Sequence, residues 1–414
     1  MKIRTSLCAG AALSVFVLAA GAAQAQDTTV AWKGAPQWTN DDVQFKVRGR
    51  VLLDAVFEDV DRQTGADQNF RAFRGRQVFL GVEGKLNNYL AYKIEGGWVN
   101  GGTPSWDDVV IEVKPNDNTS IMFGNIKATG LENLTSTRFT TFMDRGPYGD
   151  FGVDSYLVSA VAKMNGMNWT VTGAVQGDSI NSADVTAGEE RLGFTGRGSF
   201  APVLTDTTKV HLAASARWRD HGDETAFNYQ SRPNTNFGSR YINSGAIGDK
   251  DTTFAVEGAV VHNQFSLQGE YANIKVDRLN SGASAGTDPD LQVGYVFASF
   301  WPTGEMRNYD ATKGEFGRPK ILNPVTAGGF GGVELAVRYD WADLTDAYST
   351  ASTAASRTLS QDAGEYTAWT VGVNYYPTGY VRFQANYTMG KNDNPVVGRD
   401  VDVNVFQMRA QLDF

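Results

Sequence analysis

From Val43 onward the chain repeats one unit, a segment of about 8 to 14 residues with apolar side chains at alternate positions, followed by a turn or polar loop. Side chains of a β-strand alternate between its two faces, so each segment predicts a strand with one apolar face. No stretch after residue 25 approaches the roughly 18 consecutive apolar residues of a membrane-spanning helix. The pattern predicts an all-β fold, and a membrane location would require a closed antiparallel barrel.

Sixteen segments follow this alternation, and an even number of strands is typical of single-chain bacterial barrels. A transmembrane β-barrel of about sixteen strands is therefore expected. The predicted strands cover residues 43–59, 71–86, 89–98, 106–114, 119–126, 155–164, 167–177, 189–199, 207–219, 252–262, 264–277, 291–302, 331–343, 365–376, 379–390 and 401–414.

The links between these strands fall into a short class and a long class. Short links at 87–88, 165–166, 262–263 and 377–378 predict periplasmic turns. The long links predict loops that are extracellular or folded into the pore, so that long loops would occupy one side alone. They cover residues 60–70, 127–154, 178–188, 220–251, 278–290, 303–330, 344–364 and 391–400.

The N-terminus has the form of a secretory signal. Lys2 and Arg4 precede an apolar run, which ends at the small-residue triplet Ala23-Gln24-Ala25. This arrangement predicts export through the Sec pathway and cleavage after Ala25. The expected organisation is a cleavable signal peptide at 1–25, a periplasmic lead segment at 26–42 and the barrel at 43–414.

The last predicted strand indicates in which membrane the barrel lies. Its apolar side chains share one face, and the chain stops on an aromatic residue, which is the form of the C-terminal recognition signal of outer-membrane proteins. The sequence thus predicts the outer membrane of a Gram-negative bacterium, with lipid and lipopolysaccharide as neighbours. The residues on this face are Phe406, Met408, Ala410, Leu412 and Phe414.

If the apolar positions face lipid, their neighbours line the lumen. On that basis basic residues outnumber acids on the inner wall, although the whole chain has a formal charge of −9. Lumenal Arg and Lys select anions because they replace part of the water that an ion loses in a narrow pore. The alternative is that they merely neutralise lumenal acids. The predicted basic ladder consists of Lys46, Arg48, Arg50, Lys209, Arg217, Arg219, Arg338 and Arg382.

Arg74 and Arg76 do not fit this scheme, since they share the parity of the apolar Val78 and Leu80. Either they lie above the lipid band, or a β-bulge reverses their direction. Both possibilities stay open at the level of sequence.

The run GNIKATGLENLTSTRFTTFMDR at 124–145 resembles the phosphate-selective porins O and P. That family has a Gly-Gln-Phe-Lys-Glu-Pro-Phe-type run, then Leu-Glu-x-Leu-Thr-Ser and a Phe-Met-Glu-Arg-type ending. Here Ala128-Thr129-Gly130 replaces Glu-Pro-Phe, which alters the start of the loop. Further matching segments lie in order along almost the whole chain, at 80–86, 266–271, 294–305, 315–318, 334–339 and 381–387.

The resemblance implies a sixteen-stranded barrel, usually a homotrimer, with an inward-folded third loop that carries basic residues at the constriction. By position, Lys127, Arg138 and Arg145 correspond to those basic residues. The expected function is that of an outer-membrane porin for passive uptake of small anions, phosphate or related oxyanions. A general or organic-solute diffusion porin with little phosphate selectivity is the alternative.

Other classes find little support in the sequence. A barrel hydrolase is a distant alternative, because only His211 is predicted to face inward within a strand and no nucleophile motif accompanies it. The single cysteine, Cys8, lies in the signal segment, so the mature chain has no thiol chemistry. The acidic balance argues against nucleic acid as a partner. We therefore expect no catalytic residues, no metal and no cofactor.

Overall fold

The structure is a computed structural model that describes residues 29–32, 34–40, 42–65, 67–182 and 188–414. The predicted signal peptide and residues 26–28, 33 and 41 of the lead segment lie outside the described residues. No helix of the described part is long and apolar enough to cross a bilayer.

Sixteen antiparallel strands form the closed barrel, as the alternating pattern predicted. Each strand pairs with the next in the chain, and β16 pairs with β1 from Val401↔Arg62 to Asp413↔Arg50. Closure leaves no unpaired edge in the membrane. The strands are β1 Gln44–Arg62, β2 Phe70–Lys85, β3 Leu90–Val99, β4 Thr103–Asn116, β5 Thr119–Ile126, β6 Leu157–Asn165, β7 Trp169–Gln176, β8 Leu192–Leu204, β9 Thr208–Asp220, β10 Ile242–His262, β11 Phe265–Arg278, β12 Asp290–Phe300, β13 Gly332–Asp343, β14 Glu365–Thr378, β15 Val381–Asp393 and β16 Val401–Asp413.

The remaining elements lie in the links. Three short helices are α1 Leu131–Leu134, α2 Thr345–Ser349 and α3 Ala354–Leu359, and Tyr148–Gly152 forms one wider turn of helix. Phe227–Ser231 adds a short strand beside the extended start of β10. Tight turns cover Gly282–Ser284 and Val325–Ala327, and a small hairpin pairs Asn308–Asp310 with Glu315–Gly317.

The lead segment, for which the sequence showed no usable period, contains a hairpin of Thr29–Trp32 and Pro36–Thr39. Its second strand pairs with the first residues of β1, through Gln37↔Lys46. The partner on that side, β16, has already ended, because Phe414 exchanges backbone hydrogen bonds of 2.9 and 3.0 Å with Gly49. The hairpin therefore covers the part of β1 that barrel closure leaves unpaired.

The outer face carries the predicted apolar side chains. On β16 the even-numbered residues are the more exposed ones, including Phe406, Met408 and Leu412, while the odd-numbered residues are buried. On β9, Leu212 is exposed and His211 is buried. The period-two reading of the sequence is thus confirmed for the lipid-facing surface.

A β-bulge accounts for Arg76. Leu52 of β1 pairs with Gln77, but the next residue, Leu53, pairs with Gly75, so Arg76 is the extra residue on β2. Its guanidinium donates a hydrogen bond to the side chain of Asn236 in the long link between β9 and β10. Of the two possibilities left by the sequence, the bulge is the one present at Arg76.

Part of the inner face is apolar, which the assignment of apolar positions to the lipid did not anticipate. Val293, Tyr295 and Phe297 of β12 are buried, and so are Ile274 and Val276 of β11. They form a hydrophobic cluster with side chains from the loops: Phe142, Tyr148, Phe151, Val153, Phe227 and Tyr229. The barrel therefore contains a packed core against one wall.

The assignment of residues 303–330 to the side of the long loops was wrong. Consecutive links of an antiparallel barrel alternate between its ends, and the link 301–331 follows β12, so it shares an end with the short turns 86–89 and 263–264. Conversely, the three-residue link 100–102 lies at the end of the long loops. The length of a link therefore does not show at which end of the barrel it lies, whereas its position in the strand order does.

Replacing Val371 with Arg should lower the free energy of unfolding by about 2–4 kcal/mol, because Val371 is exposed at the middle of the outer face of β14. Glu365→Arg, at the end of the same face, should cost about 0–1 kcal/mol. Equilibrium unfolding in lipid vesicles, followed by tryptophan fluorescence, measures both. Equal losses for the two variants would contradict the assignment of this face to the lipid.

Candidate functional site

Three arginines converge on one carboxylate on the inner face of the barrel. Arg48 and Arg50 lie two residues apart on β1, and Arg138 comes from the link 127–156 between β5 and β6, which follows the link 100–102 at the same end of the barrel and is the third loop there. The Glu95 side chain of β3 is fully buried between them. Arg48 Nε lies 2.5 Å and Arg138 Nη2 2.7 Å from Glu95 Oε2, and Arg50 pairs with the other oxygen. The triad of guanidinium groups thus encloses an anion that the chain itself supplies.

The rest of the ladder on β1 is also paired with acids. Lys46 Nζ lies 3.3 Å from a Glu83 oxygen, Arg48 also contacts Glu83, and Arg50 contacts Asp107 of β4. The structure brings these predicted residues together on one face. It also favours, for β1, the alternative in which lumenal charges neutralise one another.

On β9, Arg217 and Arg219 share Asp154 of the third loop, at 3.2 and 2.8 Å. Arg219 also pairs with Asp251 of β10. Lys209 lies apart from them and donates to the carbonyl of Thr205 at 3.2 Å. The predicted ladder of β9 is therefore divided, with its two arginines attached to the third loop and its lysine near a turn.

Arg338 and Arg382 hold the third loop to the opposite wall. Arg338 lies between Asp340 and Glu132, with nitrogen–oxygen distances of 2.8 and 2.9 Å. Arg382 has no ion pair among the described residues, and it donates to the loop carbonyls of Thr140 at 2.7 Å and Thr137 at 3.2 Å. Both arginines are almost completely buried.

The third loop is bound through its backbone as well. Glu270 of β11 accepts hydrogen bonds from the amides of Leu131 and Glu132 at 2.8 and 2.7 Å. Asn374 of β14 donates to the Thr141 carbonyl at 2.8 Å. Strands from several sides of the barrel therefore fix the course of this segment.

The two other basic residues of the third loop differ in their contacts. Arg145 donates to the carbonyls of Glu132 and Thr135 at 3.0 and 2.7 Å, so it ties the loop to itself. Lys127 is half-buried, and its Nζ lies 3.2 Å from the Asn133 carbonyl and 4.6 Å from the centre of the Tyr156 ring. Burial, together with the neighbouring Arg145, lowers the pKa of Lys127 to about 7.

The link 301–331 contacts the third loop from the other end of the barrel. The amide of Phe316 donates to Thr135 Oγ1 at 3.2 Å, and Phe316 packs in a cluster with Leu131 and Tyr309. Arg307 stacks on Phe316 with its guanidinium carbon 3.7 Å from the ring centre. Sequence reasoning placed this link at the wrong end, and although it matched 315–318 to the family, it gave Phe316 and Arg307 no role.

Glu95 was also overlooked, although the sequence held a signal for it. In the third predicted strand Lys93 and Glu95 have the parity opposite to that of Ile94 and Trp98, so the argument that placed the basic ladder in the lumen places both of them there as well. The acids that come from other elements, such as Asp154, had no comparable signal, because their partners lie on strands distant in the chain.

An apolar outer face around a charged inner wall is the architecture of outer-membrane channels. The sequence profile of the phosphate-selective porin O and P family matches residues 45–414. The chain therefore belongs to that family and is an outer-membrane porin, as the resemblance at 124–145 predicted. Family and fold indicate a channel rather than an enzyme.

Two relatives align over most of the chain. Porin O of Pseudomonas aeruginosa is 25% identical over 410 residues, covering 91% of this chain and 90% of its own. An uncharacterized protein of Caulobacter vibrioides is 28% identical over 409 residues, covering 94% of this chain and 77% of its own.

Solved structures share the fold at low identity. OmpT of Vibrio cholerae has a TM-score of 0.54 at 13% identity and covers 91% of this chain and 99% of OmpT. The outer membrane channel DcaP of Acinetobacter baumannii has a TM-score of 0.53 at 12% identity, covering 90% and 98% of the two chains. An anion-selective porin from Comamonas acidovorans has a TM-score of 0.50 at 12% identity, covering 89% and 100%.

Replacing Glu95 with Ala should lower the free energy of unfolding by about 3–5 kcal/mol, because it leaves buried arginines without their shared counter-charge. The matched control is Glu83→Ala, whose side chain is 32% exposed and whose loss should cost about 1 kcal/mol or less. Urea unfolding in detergent gives both values. A Glu95 variant as stable as the Glu83 variant would show that the triad does not depend on this carboxylate.

Proposed function

We propose that the porin passes small anions, phosphate or related oxyanions, through a constriction formed by the third loop at 127–156. Lys127 carries the proposal. Arg138 pairs with Glu95 and Arg145 donates to two loop carbonyls, whereas Lys127 has no ion pair among the described residues and donates to one carbonyl. The contacts of the loop with Arg338, Arg382 and Glu270 support an inward course.

In this mechanism an oxyanion loses water at the constriction and gains charged donors. Lys127 supplies a compact point charge, whereas an arginine offers a planar fork that matches two oxygens. Arg48, Arg50 and Arg138 form such a donor set, but Glu95 occupies it in the structure. The anion must compete with this internal carboxylate, so binding at the triad stays weak enough for release.

A second candidate is a general diffusion porin with little phosphate selectivity. The neutralisation of the β1 and β9 ladders by Glu83, Glu95, Asp107, Asp154 and Asp251 favours it, because paired charges attract a passing anion weakly. Reversal potentials in a KCl gradient, before and after phosphate is added, discriminate the two functions.

We also propose a homotrimer in lipid and lipopolysaccharide. The resemblance to the family supports it, and OmpT of Vibrio cholerae is described in a trimer form. β5, β6 and β7 have 8, 9 and 8 residues, so this side of the wall is short and would lie against neighbouring barrels. Light scattering of the detergent-solubilised protein should give three times the chain mass, and a monomeric mass would contradict the assembly.

The anion preference should fall as the pH rises from 6 to 8. The pKa of Lys127 is lowered to about 7, so the side chain is mostly charged below that pH and mostly neutral above it. The measurement is the reversal potential of reconstituted channels in a KCl gradient. Lys127→Gln should give a low preference at every pH in this range, whereas the control Lys209→Gln should keep the wild-type profile. If the Lys127→Gln channel kept the wild-type pH profile, another residue would set the anion preference.

A further inference from the structure

The second half of the link 301–331 lies against the outer face of the barrel. We call this part, residues 320–330, the outer segment. The Phe330 ring centre lies 5.5 Å from that of Tyr375 on β14, and the Tyr375 hydroxyl donates to the Phe330 carbonyl at 2.9 Å. Tyr375 has the parity of the exposed Val373, so Phe330 lies on the side of the wall that faces lipid.

The outer segment exposes three large apolar side chains. Phe330 is 67% exposed, Leu322 49% and Val325 48%. The tight turn Val325–Ala327 packs against β14, which keeps the segment close to the wall. Aromatic and apolar side chains at the end of a strand are favourable at a membrane–water interface, where one side of the chain is apolar and the other is wet.

The patch continues a band of aromatic side chains at the same end of the barrel. On neighbouring strands the outward rings of Phe265 and Phe300 stack with 4.6 Å between their centres. On the other side, Tyr375 is the cross-strand partner of Phe383, which is 49% exposed. Girdles of aromatic residues lie at both membrane interfaces of a barrel. Phe330 therefore extends a surface that already faces lipid.

A neighbouring barrel is not the expected occupant of this patch. The strands proposed to contact neighbouring barrels include β5 and β6, and β13 and β14, which the link joins, come eight strands later. Eight is half of the sixteen strands, so the outer segment lies on the opposite side of the barrel. Lys320 is exposed and has no ion pair in the part of the chain that the structure describes. A basic residue near apolar side chains adds an attraction to anionic lipids.

We propose that the outer segment is a membrane anchor that inserts Leu322, Val325 and Phe330 into the periplasmic leaflet, with phospholipid as its partner. The link shares its end of the barrel with the short turns, which are periplasmic in barrels of this kind. The apolar side chains would leave water for the boundary between headgroups and acyl chains, while Lys320 would keep its charge near the headgroups.

Arg318 connects the anchor to the third loop. Its guanidinium carbon lies 4.7 Å from the ring centre of Tyr380 and 5.0 Å from that of Phe139 in the third loop. Two residues earlier, the amide of Phe316 donates to Thr135 of the same loop. The anchor would therefore hold one end of the segment that contacts the third loop. This role rests on the constriction proposed for that loop, whereas the contact with lipid does not.

Fluorescence quenching in phosphatidylcholine vesicles tests the contact with lipid. Cys8 lies in the predicted signal peptide, so Val325→Cys gives the mature porin one thiol for a fluorescent label. Lipid brominated near the headgroup end of its acyl chains should lower the emission of this label about twofold, because the label would lie at the interface. Val397→Cys is the matched control. This valine is 97% exposed in the long link between β15 and β16, and its label should keep its emission.

Equal emission of the Val325 label in brominated and unbrominated vesicles would overturn the anchor. Single-channel recordings of Val325→Asp/Phe330→Asp test its role. Loss of the anchor should raise the noise of the open-channel current, because the link that contacts Thr135 is no longer held at its outer end, whereas Val397→Asp should leave the noise unchanged. A quiet double variant together with a quenched label would overturn the connection to the constriction and support the lipid contact, and the pH test of Lys127 depends on neither result.

Discussion

Backbone amides and carbonyls that face hydrocarbon must find partners within the protein, and this requirement governs the whole structure. At the seam that closes the barrel, β16 provides the backbone partners for most of β1. The lead hairpin provides them for the first residues of β1, where β16 has ended. Closure then creates an interior that lipid cannot reach. The buried ion pairs around Glu95 depend on that enclosed space, and so does the constriction proposed for the third loop.

Inside the barrel, charge compensation takes over from backbone pairing as the organising interaction. Burying an arginine is costly unless a carboxylate or several carbonyls surround it, and the lumen supplies both arrangements. Arg338 uses carboxylates, whereas Arg382 uses loop carbonyls. The same contacts that make these charges tolerable also fix the loop, so lumenal arginines are structural as well as electrostatic, and their number alone does not measure anion selectivity.

The outer face was predictable from the sequence because lipid imposes one rule on every outward side chain. Phe406 and Leu412 illustrate it: their alternation with polar neighbours is visible without any structure. Side chains on the inner face follow no single rule, since water, loop residues or groups of opposite charge can all serve as their partners. Val293 and Tyr295 are apolar there because loops cover them, and the partners of Arg48 come from other strands. Because successive links alternate between the two ends of the barrel, counting the strands along the chain would have placed the link 301–331 at the correct end.

The contact between Phe316 and Thr135 joins residues separated by 181 positions. One belongs to a link at the end of the short turns and the other to a loop that begins at the opposite end, with seven strands between them in the chain. Because the two segments come from opposite ends of the barrel, they meet only within a wall that already surrounds them. The narrowing proposed for the third loop would consequently rest in part on a link anchored at the far end of the barrel, and an insertion or deletion in that link would alter the bore without touching the loop.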